Sequence, residues 1–235
     1  MATPKASVVQ AAPQVTDTEL LAIFDTVSKQ TIWTITLWDQ YLTLFADDKC
    51  KGVMQEGYGS FSGLLQNILY RDVVLRIARL LDVAQTRKSK NATLLFLEEF
   101  GDSEKLESFR KILAEIKAKS EEITVLRNKV LAHADAETAL NRVSPRYPDP
   151  TEITKTLRLM SKAVCEFHNS YHSSSQIMMP LAEISANKLL HNAQWAELGR
   201  ARCEAAIDQN LTCMETDAMQ PTFIYPDPKS KDWYK

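Results

Sequence analysis

Three residues whose types could do chemistry lie in one helix-like stretch of the chain, LRNKVLAHAD at positions 126–135. They are Arg127, Asn128 and His133, the last being one of only four histidines. Histidine accepts and donates protons near neutral pH, while arginine presents a fixed positive fork to phosphate oxygens. The pair suits metal-independent cleavage of RNA, in which the 2'-hydroxyl attacks phosphorus and the guanidinium stabilises the developing anion. Asn128 could orient a catalytic side chain or bind a phosphate oxygen.

The positions of these residues on a helix indicate how a site would be assembled. At about 100° per residue, Arg127 and His133 fall roughly 120° apart, on opposite shoulders of the apolar stripe. Within one chain they cannot easily close on one small ligand. In a two-fold dimer the Arg127 shoulder of one chain can face the His133 shoulder of the other. The spacing therefore favours a composite site across a homodimer.

The spacing alone is weak evidence, because an arginine followed within seven places by a histidine is common by chance. The simplest alternative is a helix with a few polar residues on its solvated side. Arg127 and His133 would then only stabilise the dimer of a non-catalytic interaction module. The polar residue directly after the arginine and the near-complete apolar turn before the histidine favour the catalytic interpretation.

Basic residues are concentrated on and after the second long helix, where the usual interpretation is a solvated face. Asp72 lies one turn before Arg76, so part of this charge is expected to be used in pairing within the helix. Asp82, which ends the helix, is expected to hold a basic residue in position rather than touch substrate. We predict that five cations guide an RNA backbone toward the site: Arg76, Arg79, Arg87, Lys88 and Lys129.

The elements that must position these residues are all predicted to be helices. Only six glycines occur, and apolar residues recur at spacings of three and four. A capping box at Thr16 to Glu19 begins a first long helix that runs to about Phe45. Its Trp33, Trp38 and Tyr41 are predicted to be core or dimer-interface anchors rather than base-stacking platforms.

A polar, glycine-containing stretch from Asp47 to Gly59 is expected to break the first helix. FSGLLQNILYRDVVLRIARLLD then forms a second long helix, buried on most of its apolar face. A basic loop, TRKSK, separates it from a short helix at NATLLFLEEF, and no strand is predicted anywhere. The remaining helices are expected from a Ser103 cap to about Ala136 with a joint near Ser120, from Thr151 to about His172, and from Pro180 to near Asn210.

Length and composition fit one domain, with 235 residues of which 45% are hydrophobic. We expect a lead-in at 1–15, a single helical domain at 16–210 and an irregular tail at 211–235. A formal charge of -2 gives no global attraction to nucleic acid or to an anionic membrane. Four widely spaced cysteines without a CxxC pair, and the lack of a secretory signal or a membrane span, predict a reduced, cytoplasmic protein.

The motif R-N-x4-H in LRNKVLAHAD resembles the R-polar-x(4 to 6)-H signature of HEPN domains. The upstream run LYRDVVLRIARLLDVAQTRKSKNATLLFLEEF resembles the abortive-infection, AbiU-like branch of that superfamily, so that roughly positions 60–172 are covered. The resemblance implies an antiparallel bundle of four or more helices and a dimeric RNase in phage defence or a toxin-antitoxin system. Arg127 and His133 would be its catalytic pair, with Asn128 as the polar companion. RNA, a second copy and an antitoxin or regulatory protein would be its partners.

A metal site is the main alternative chemistry. Cys165, His168 and His172 share one helical face by their i, i+3 and i+7 spacing, which is typical of transition-metal ligands. No HExxH pattern accompanies them, and no fourth ligand is near in sequence. We therefore favour a protein without a metal or another cofactor, in which one of these histidines is satisfied within the core.

Overall fold

The computed structural model of the chain describes residues 15–86, 89–128, 146–171 and 183–209. These ranges contain eight helices and one hairpin, so the predicted all-α helical bundle is confirmed. No helix within them is long and apolar enough to cross a bilayer. Residues 1–14 and 210–235, which contain the predicted tail and all but the last residue of the predicted lead-in, fall outside the described ranges. The elements are α1 (Asp17–Phe45), α2 (Asp48–Tyr58), α3 (Ser60–Leu80), β1 (Gln85–Thr86), β2 (Ser89–Lys90), α4 (Leu94–Phe100), α5 (Glu107–Lys119), α6 (Glu121–Leu126), α7 (Pro150–Tyr171) and α8 (Glu183–Gln209).

Helix α1 begins at the threonine that the sequence indicates. The Thr16 hydroxyl accepts the backbone N–H of Glu19 at 3.2 Å, which satisfies one of the unpaired donors of the first turn. The Glu19 carboxylate accepts a hydrogen bond from Lys90 at 2.7 Å. The start of α1 is thus both capped and tied to the hairpin strand β2.

The stretch from Asp47 to Gly59 was predicted to break the first helix, and this is confirmed, because α1 ends at Phe45. Most of the stretch nevertheless forms a helix of its own, α2, which was not predicted. Asp47 caps the new helix, and Gly59, at a φ of 53°, ends it in the left-handed region that favours glycine. Cys50, Val53 and Met54 are buried at helical spacing. That apolar stripe packs into the core and outweighs the low helix propensity of two interior glycines.

Helices α1, α5 and α7 meet at the fully buried ring of Phe167. This ring stacks on Phe24 of α1 at 4.9 Å between centroids, and on Tyr171 one turn later at 4.8 Å. Phe109 of α5 meets it edge-on at 5.6 Å. Aromatic pairs at such distances add about 0.5–1.5 kcal/mol each beyond the burial of their area. Phe167 is therefore a central packing residue of the bundle.

The aromatic residues of α1 anchor its second half to α7. Trp38 is fully buried, stacks on Tyr41 at 4.6 Å and donates its indole N–H to the Thr154 hydroxyl at 2.8 Å. Tyr41 is only 7% exposed. The predicted role as core anchors is confirmed for both residues, whereas Trp33 is 47% exposed and does not belong to the core of this chain.

Helix α3 forms where it was predicted, but its first half is not buried as predicted. Phe61, Leu64 and Ile68 are each more than half exposed, and their i, i+3 and i+7 spacing places them on one face. No helix in the described ranges covers this face, although its spacing alone would suit a core. The buried residues of α3 lie mostly in its second half: Val73, Val74, Ile77, Ala78 and Leu80.

The basic loop after α3 contains the hairpin, although no strand was predicted. Gln85 pairs with Lys90 and Thr86 with Ser89 in antiparallel register, and the Thr86 and Ser89 hydroxyls share a 2.9 Å hydrogen bond. Two residues per strand are too few to show the alternating apolar pattern that identifies strands in a sequence. The two residues between the strands, Arg87 and Lys88, lie outside the described ranges.

The predicted cap at Ser103 was wrong, and the predicted joint at Ser120 is confirmed. Ser103 lies in a turn, where the Asp102 carboxylate accepts the N–H of Glu104, and α5 begins only after the fully buried Leu106. Burial of Leu106 thus fixes the helix start without a capping side chain. Ser120 separates α5 from α6, and its hydroxyl donates to the Ile116 carbonyl at 2.7 Å.

Helix α8 packs closely on α2 near Gly57. A Cβ at this glycine would lie 2.9 Å from the Cα of Ala193, so only glycine permits the observed approach. Tyr58 donates to the Leu189 carbonyl at 3.4 Å, and Arg200 pairs with a carboxylate of α2 at 3.2 Å. These contacts attach α8 to the rest of the bundle.

We expect Phe167→Ala to lower the free energy of unfolding by about 3–5 kcal/mol, because it removes a buried ring and leaves a cavity. The same truncation at the exposed ring, Phe61→Ala, should change it by no more than about 0.5 kcal/mol. Urea unfolding followed by circular dichroism measures both values. Equal losses would contradict the placement of one ring in the core and the other on the surface.

Candidate active site

The short helix α6 positions Arg127. Ile123 and Leu126 are 1% and 0% exposed, so two adjacent turns of α6 are anchored in the core. Arg127 follows with helical angles, φ −57° and ψ −49°, and its N–H bonds to the carbonyls of Ile123 and Thr124. Its side chain, 26% exposed, projects from the end of α6, where a positive charge is favoured by the helix dipole.

The carboxylate of Asp82 fixes the guanidinium of Arg127. Arg127 Nη2 donates to Asp82 Oδ2 at 2.8 Å, across a sequence separation of 45 residues. Asp82 directly follows the C-terminal turn of α3, where a negative charge is unfavourable unless a cation balances it. The pair therefore joins the ends of α3 and α6, and it is the kind of contact predicted for Asp82.

The side chain of Asn128, the next residue along the chain, contacts the same guanidinium. Arg127 Nη1 donates to Asn128 Oδ1 at 2.8 Å. Together with the bond to Asp82, this uses two of the five N–H donors of a guanidinium and sets the orientation of its plane. An arginine held in this way is prearranged to receive an anionic group on its remaining donors.

The other half of the predicted site falls in the segment 129–145, outside the described ranges. Both His133 and Lys129 belong to it, so the distance between Arg127 and His133 and their arrangement in a dimer stay predictions. Arg87 and Lys88 also lie outside the described ranges. Of the predicted site residues, the structure thus places Arg127, Asn128, Arg76 and Arg79.

Arg76 and Arg79 lie in the second half of α3, the helix that ends just before Asp82. Arg76 Nε donates to Asp72 at 2.8 Å, which confirms the predicted pairing within the helix. Arg79 is exposed one turn closer to Asp82. Arg79 lies within one turn of Asp82, and Arg76 lies one turn further back along α3, so both cations belong to the half of α3 that ends next to the Asp82–Arg127 pair.

Arg146, the first described residue after the segment 129–145, joins α6 to α7 through two ion pairs. It donates to Glu122 of α6 at 2.7 Å and to Glu152 of α7 at 2.9 Å. The Glu122 carboxylate, and then that of Glu152, raises the pKa of Arg146 above its ordinary value. Sequence reasoning missed this residue, because it lies in a proline-rich loop and its two partners are distant from each other in sequence.

The proposed metal ligands are only partly described. Cys165 is a partly buried cysteine outside any disulfide and packs against the core, and the His168 ring lies 6.0 Å from that of Phe24. His172 lies outside the described ranges. Within those ranges, no group of three or more histidine, cysteine, aspartate or glutamate side chains could hold a metal ion. The Cys165, His168 and His172 site remains a hypothesis.

A comparison of the whole sequence with family models identifies the family of the chain. The family model of HEPN AbiU2 matches residues 17–188, well over half of the chain. The chain belongs to the HEPN AbiU2 family. The match begins at the first residue of α1 and ends within α8, so it covers more than the predicted 60–172 and includes α1 and α2.

Membership of HEPN AbiU2 makes this chain an abortive-infection HEPN domain and confirms the predicted branch of the superfamily. The matched residues include Asp82, Arg127, Asn128 and His133. No curated protein and no solved structure matches the chain significantly.

A double-mutant cycle tests the pair that fixes the guanidinium. We expect Asp82→Ala, Arg127→Ala and the double variant to give a coupling free energy of about 0.5–1 kcal/mol, because the pair is well aligned and mostly shielded. The pair Asp25 and Lys29, whose side chains are 59% and 73% exposed, is the control and should couple by less. Equal coupling in both pairs, measured by urea unfolding, would contradict a fixed Arg127.

Proposed function

We propose that this HEPN AbiU2 protein is a metal-independent endoribonuclease. Its site would combine Arg127 and Asn128 of one protomer with His133 of the other in a homodimer. The observation that carries the proposal is the Arg127 guanidinium, oriented by Asp82 and Asn128 at 2.8 Å each while still 26% exposed. The family supports an abortive-infection role for the chain.

The proposed reaction needs no metal, because the nucleophile belongs to the RNA. His133 takes the proton of the 2'-hydroxyl, and the 2'-oxygen attacks the neighbouring phosphorus. Arg127 stabilises the negative charge that develops on the pentacoordinate phosphorus. The bond to the 5'-oxygen then breaks, and that oxygen leaves with the proton that His133 has taken up. The products are a 2',3'-cyclic phosphate end and a 5'-hydroxyl end.

The Asp82 carboxylate has two opposing effects on such a site. It keeps Arg127 in one orientation before substrate arrives, so little reorganisation is needed when charge develops. Its own negative charge also offsets part of the attraction between Arg127 and a phosphate. Binding of the RNA backbone therefore depends on further cations, and Arg76 and Arg79, in the half of α3 next to Asp82, are the described candidates. Arg87, Lys88 and Lys129 would add to them.

A second candidate is a non-catalytic interaction module of the same fold. The exposed apolar face of α3 at Phe61, Leu64 and Ile68 favours it, because contiguous apolar surface often marks a protein contact. In this alternative Arg127 and His133 stabilise a dimer and cleave nothing.

The biological setting that we propose follows from the family. An abortive-infection RNase would act in the cytoplasm, in phage defence or as the toxin of a toxin-antitoxin system. A neutralising antitoxin or a regulatory protein would then be its partner. These proposals depend on the cleavage activity.

The activity is tested by incubating the purified protein with single-stranded RNA in EDTA. We expect cleavage that leaves cyclic-phosphate ends, and a loss of about 100-fold or more in rate for His133→Ala. Arg127→Ala should lose a similar factor, because the charge developing on the phosphorus is then unbalanced. His191→Ala, at an exposed position of α8, is the matched control and should retain the wild-type rate.

Cleavage that persists at the wild-type rate in His133→Ala would rule out the proposed mechanism. A protein that forms stable dimers and leaves RNA intact in EDTA and in Mg²⁺ alike would favour the non-catalytic module instead.

A further inference from the structure

A shallow, largely open cavity of about 290 Å³ lies between α1, α3 and the residues that lead into α7. Its volume lies just below the range of about 300–1,000 Å³ that is usual for small-ligand pockets. The lining consists of three tyrosines, two carboxamide residues, two prolines and a glycine, and none of these carries a formal charge. The cavity thus suits a neutral, planar group with polar edges.

The walls of this cavity are held by their own contacts. Tyr70 donates its hydroxyl to the Pro148 carbonyl at 2.7 Å, and its ring lies 6.0 Å from Tyr41 and 6.2 Å from Tyr147. Burial, and secondarily the neighbouring Tyr41, raises the pKa of Tyr70, so its hydroxyl stays neutral and remains a donor. Tyr41 in turn stacks on the buried Trp38. The aromatic series runs from the core to the surface, where Tyr147 is 54% exposed.

The residue types at the surface match what a nucleobase requires. An exposed tyrosine such as Tyr147 offers a face for stacking, which is the usual way in which proteins hold unpaired bases. Gln66 and Asn67 each offer donors and an acceptor, which suit the hydrogen-bonding edges of a base. Gly63 also lines the cavity, and the space beside it is open, since a Cβ there would meet nothing within 4 Å.

A second cavity, of about 370 Å³, has a charged lining, unlike the first. It lies between α6 and α7, and its lining includes Glu121, Glu122, Glu152, Lys119 and Lys155. Glu122 and Glu152 are already paired with Arg146. Three carboxylates line this second cavity, whereas no residue that lines the smaller cavity is charged, and the nearby Glu152 and Asp149 act on its Tyr70 only from outside the lining.

The aromatic cavity is connected to the Arg127 site through Arg146 and the two residues that follow it. Arg146 binds α6, the helix that ends next to Arg127, and the next two residues, Tyr147 and Pro148, form a wall of the cavity. Along α3, Tyr70 precedes Asp82 by twelve residues, which is about 18 Å along a helix axis. An RNA strand could reach from one to the other within a few nucleotides.

We propose that this cavity binds one unpaired base of the RNA, a few nucleotides away from the scissile phosphate. The proposal rests on the proposed ribonuclease function for its ligand. It assigns part of the sequence preference of the enzyme to Gln66, Asn67 and Tyr147, none of which takes part in the cleavage chemistry.

The test uses Gly63→Leu, which fills the cavity from a helical position with open space, and Gly52→Leu as the matched control. Gly52 is also helical, a Cβ added there would likewise meet nothing within 4 Å, and it lies on α2 away from the cavity. Both changes are made in full-length His133→Ala protein to prevent cleavage. Fluorescence anisotropy then measures the binding of labelled decamers of adenylate, cytidylate and uridylate.

We expect unequal affinities for the three decamers in the His133→Ala protein and in the Gly52→Leu control. Gly63→Leu should weaken the preferred decamer by about five- to a hundredfold and reduce the difference between decamers, as loss of one stacked base does. Tyr147→Ala should have the same effect in the same direction. This pattern would support the base pocket even if the wild-type protein did not cleave RNA.

If Gly63→Leu binds each decamer as tightly as Gly52→Leu does, the base pocket is overturned. Cleavage of RNA in EDTA by the wild-type protein would still leave the ribonuclease function intact. A labelled decaproline peptide provides the remaining comparison, because aromatic grooves also bind proline-rich segments. Peptide binding that is lost in Gly63→Leu, with RNA binding unchanged, would assign the cavity to a peptide and would likewise overturn the proposal.

Discussion

The ion pair between Asp82 and Arg127 is the contact on which the candidate site depends. It forms only because the ends of α3 and α6 lie side by side, and the buried Ile123 and Leu126 hold α6 in that place. A partly exposed pair of this kind contributes only about 0–1 kcal/mol to stability. Its main effect is to orient the Arg127 guanidinium, which places a positive charge where negative charge would develop during a reaction.

The sequence predicts the chemistry of the site better than its geometry. Arg127, Asn128 and His133 are identifiable by type and spacing, and the holding role of Asp82 follows from its place at the end of an arginine-rich helix. Which cation Asp82 holds depends on how α3 packs on α6, and periodicity within each helix contains no such information. Conversely, α2 was missed because its polar composition hides a stripe of only three buried residues.

Surfaces built from distant segments are the part that sequence reasoning could not supply. Tyr41, Gln66 and Tyr147 meet in one cavity although α1, α3 and the lead into α7 are far apart in sequence. Arg146 likewise finds its two carboxylates on different helices. The exposed half of α3 shows the same limit, because an apolar stripe indicates a face to be covered without indicating what covers it.

A mixture of two inactive variants tests the shared site most directly. Arg127→Ala and His133→Ala are refolded together in equal amounts, and RNA cleavage is measured in EDTA while native mass spectrometry confirms the heterodimers. If each site takes its arginine and histidine from different protomers, each heterodimer contains one intact site, and about a quarter of the wild-type activity returns. If heterodimers form and no cleavage returns, the two residues do not act across the dimer, and the composite site is contradicted.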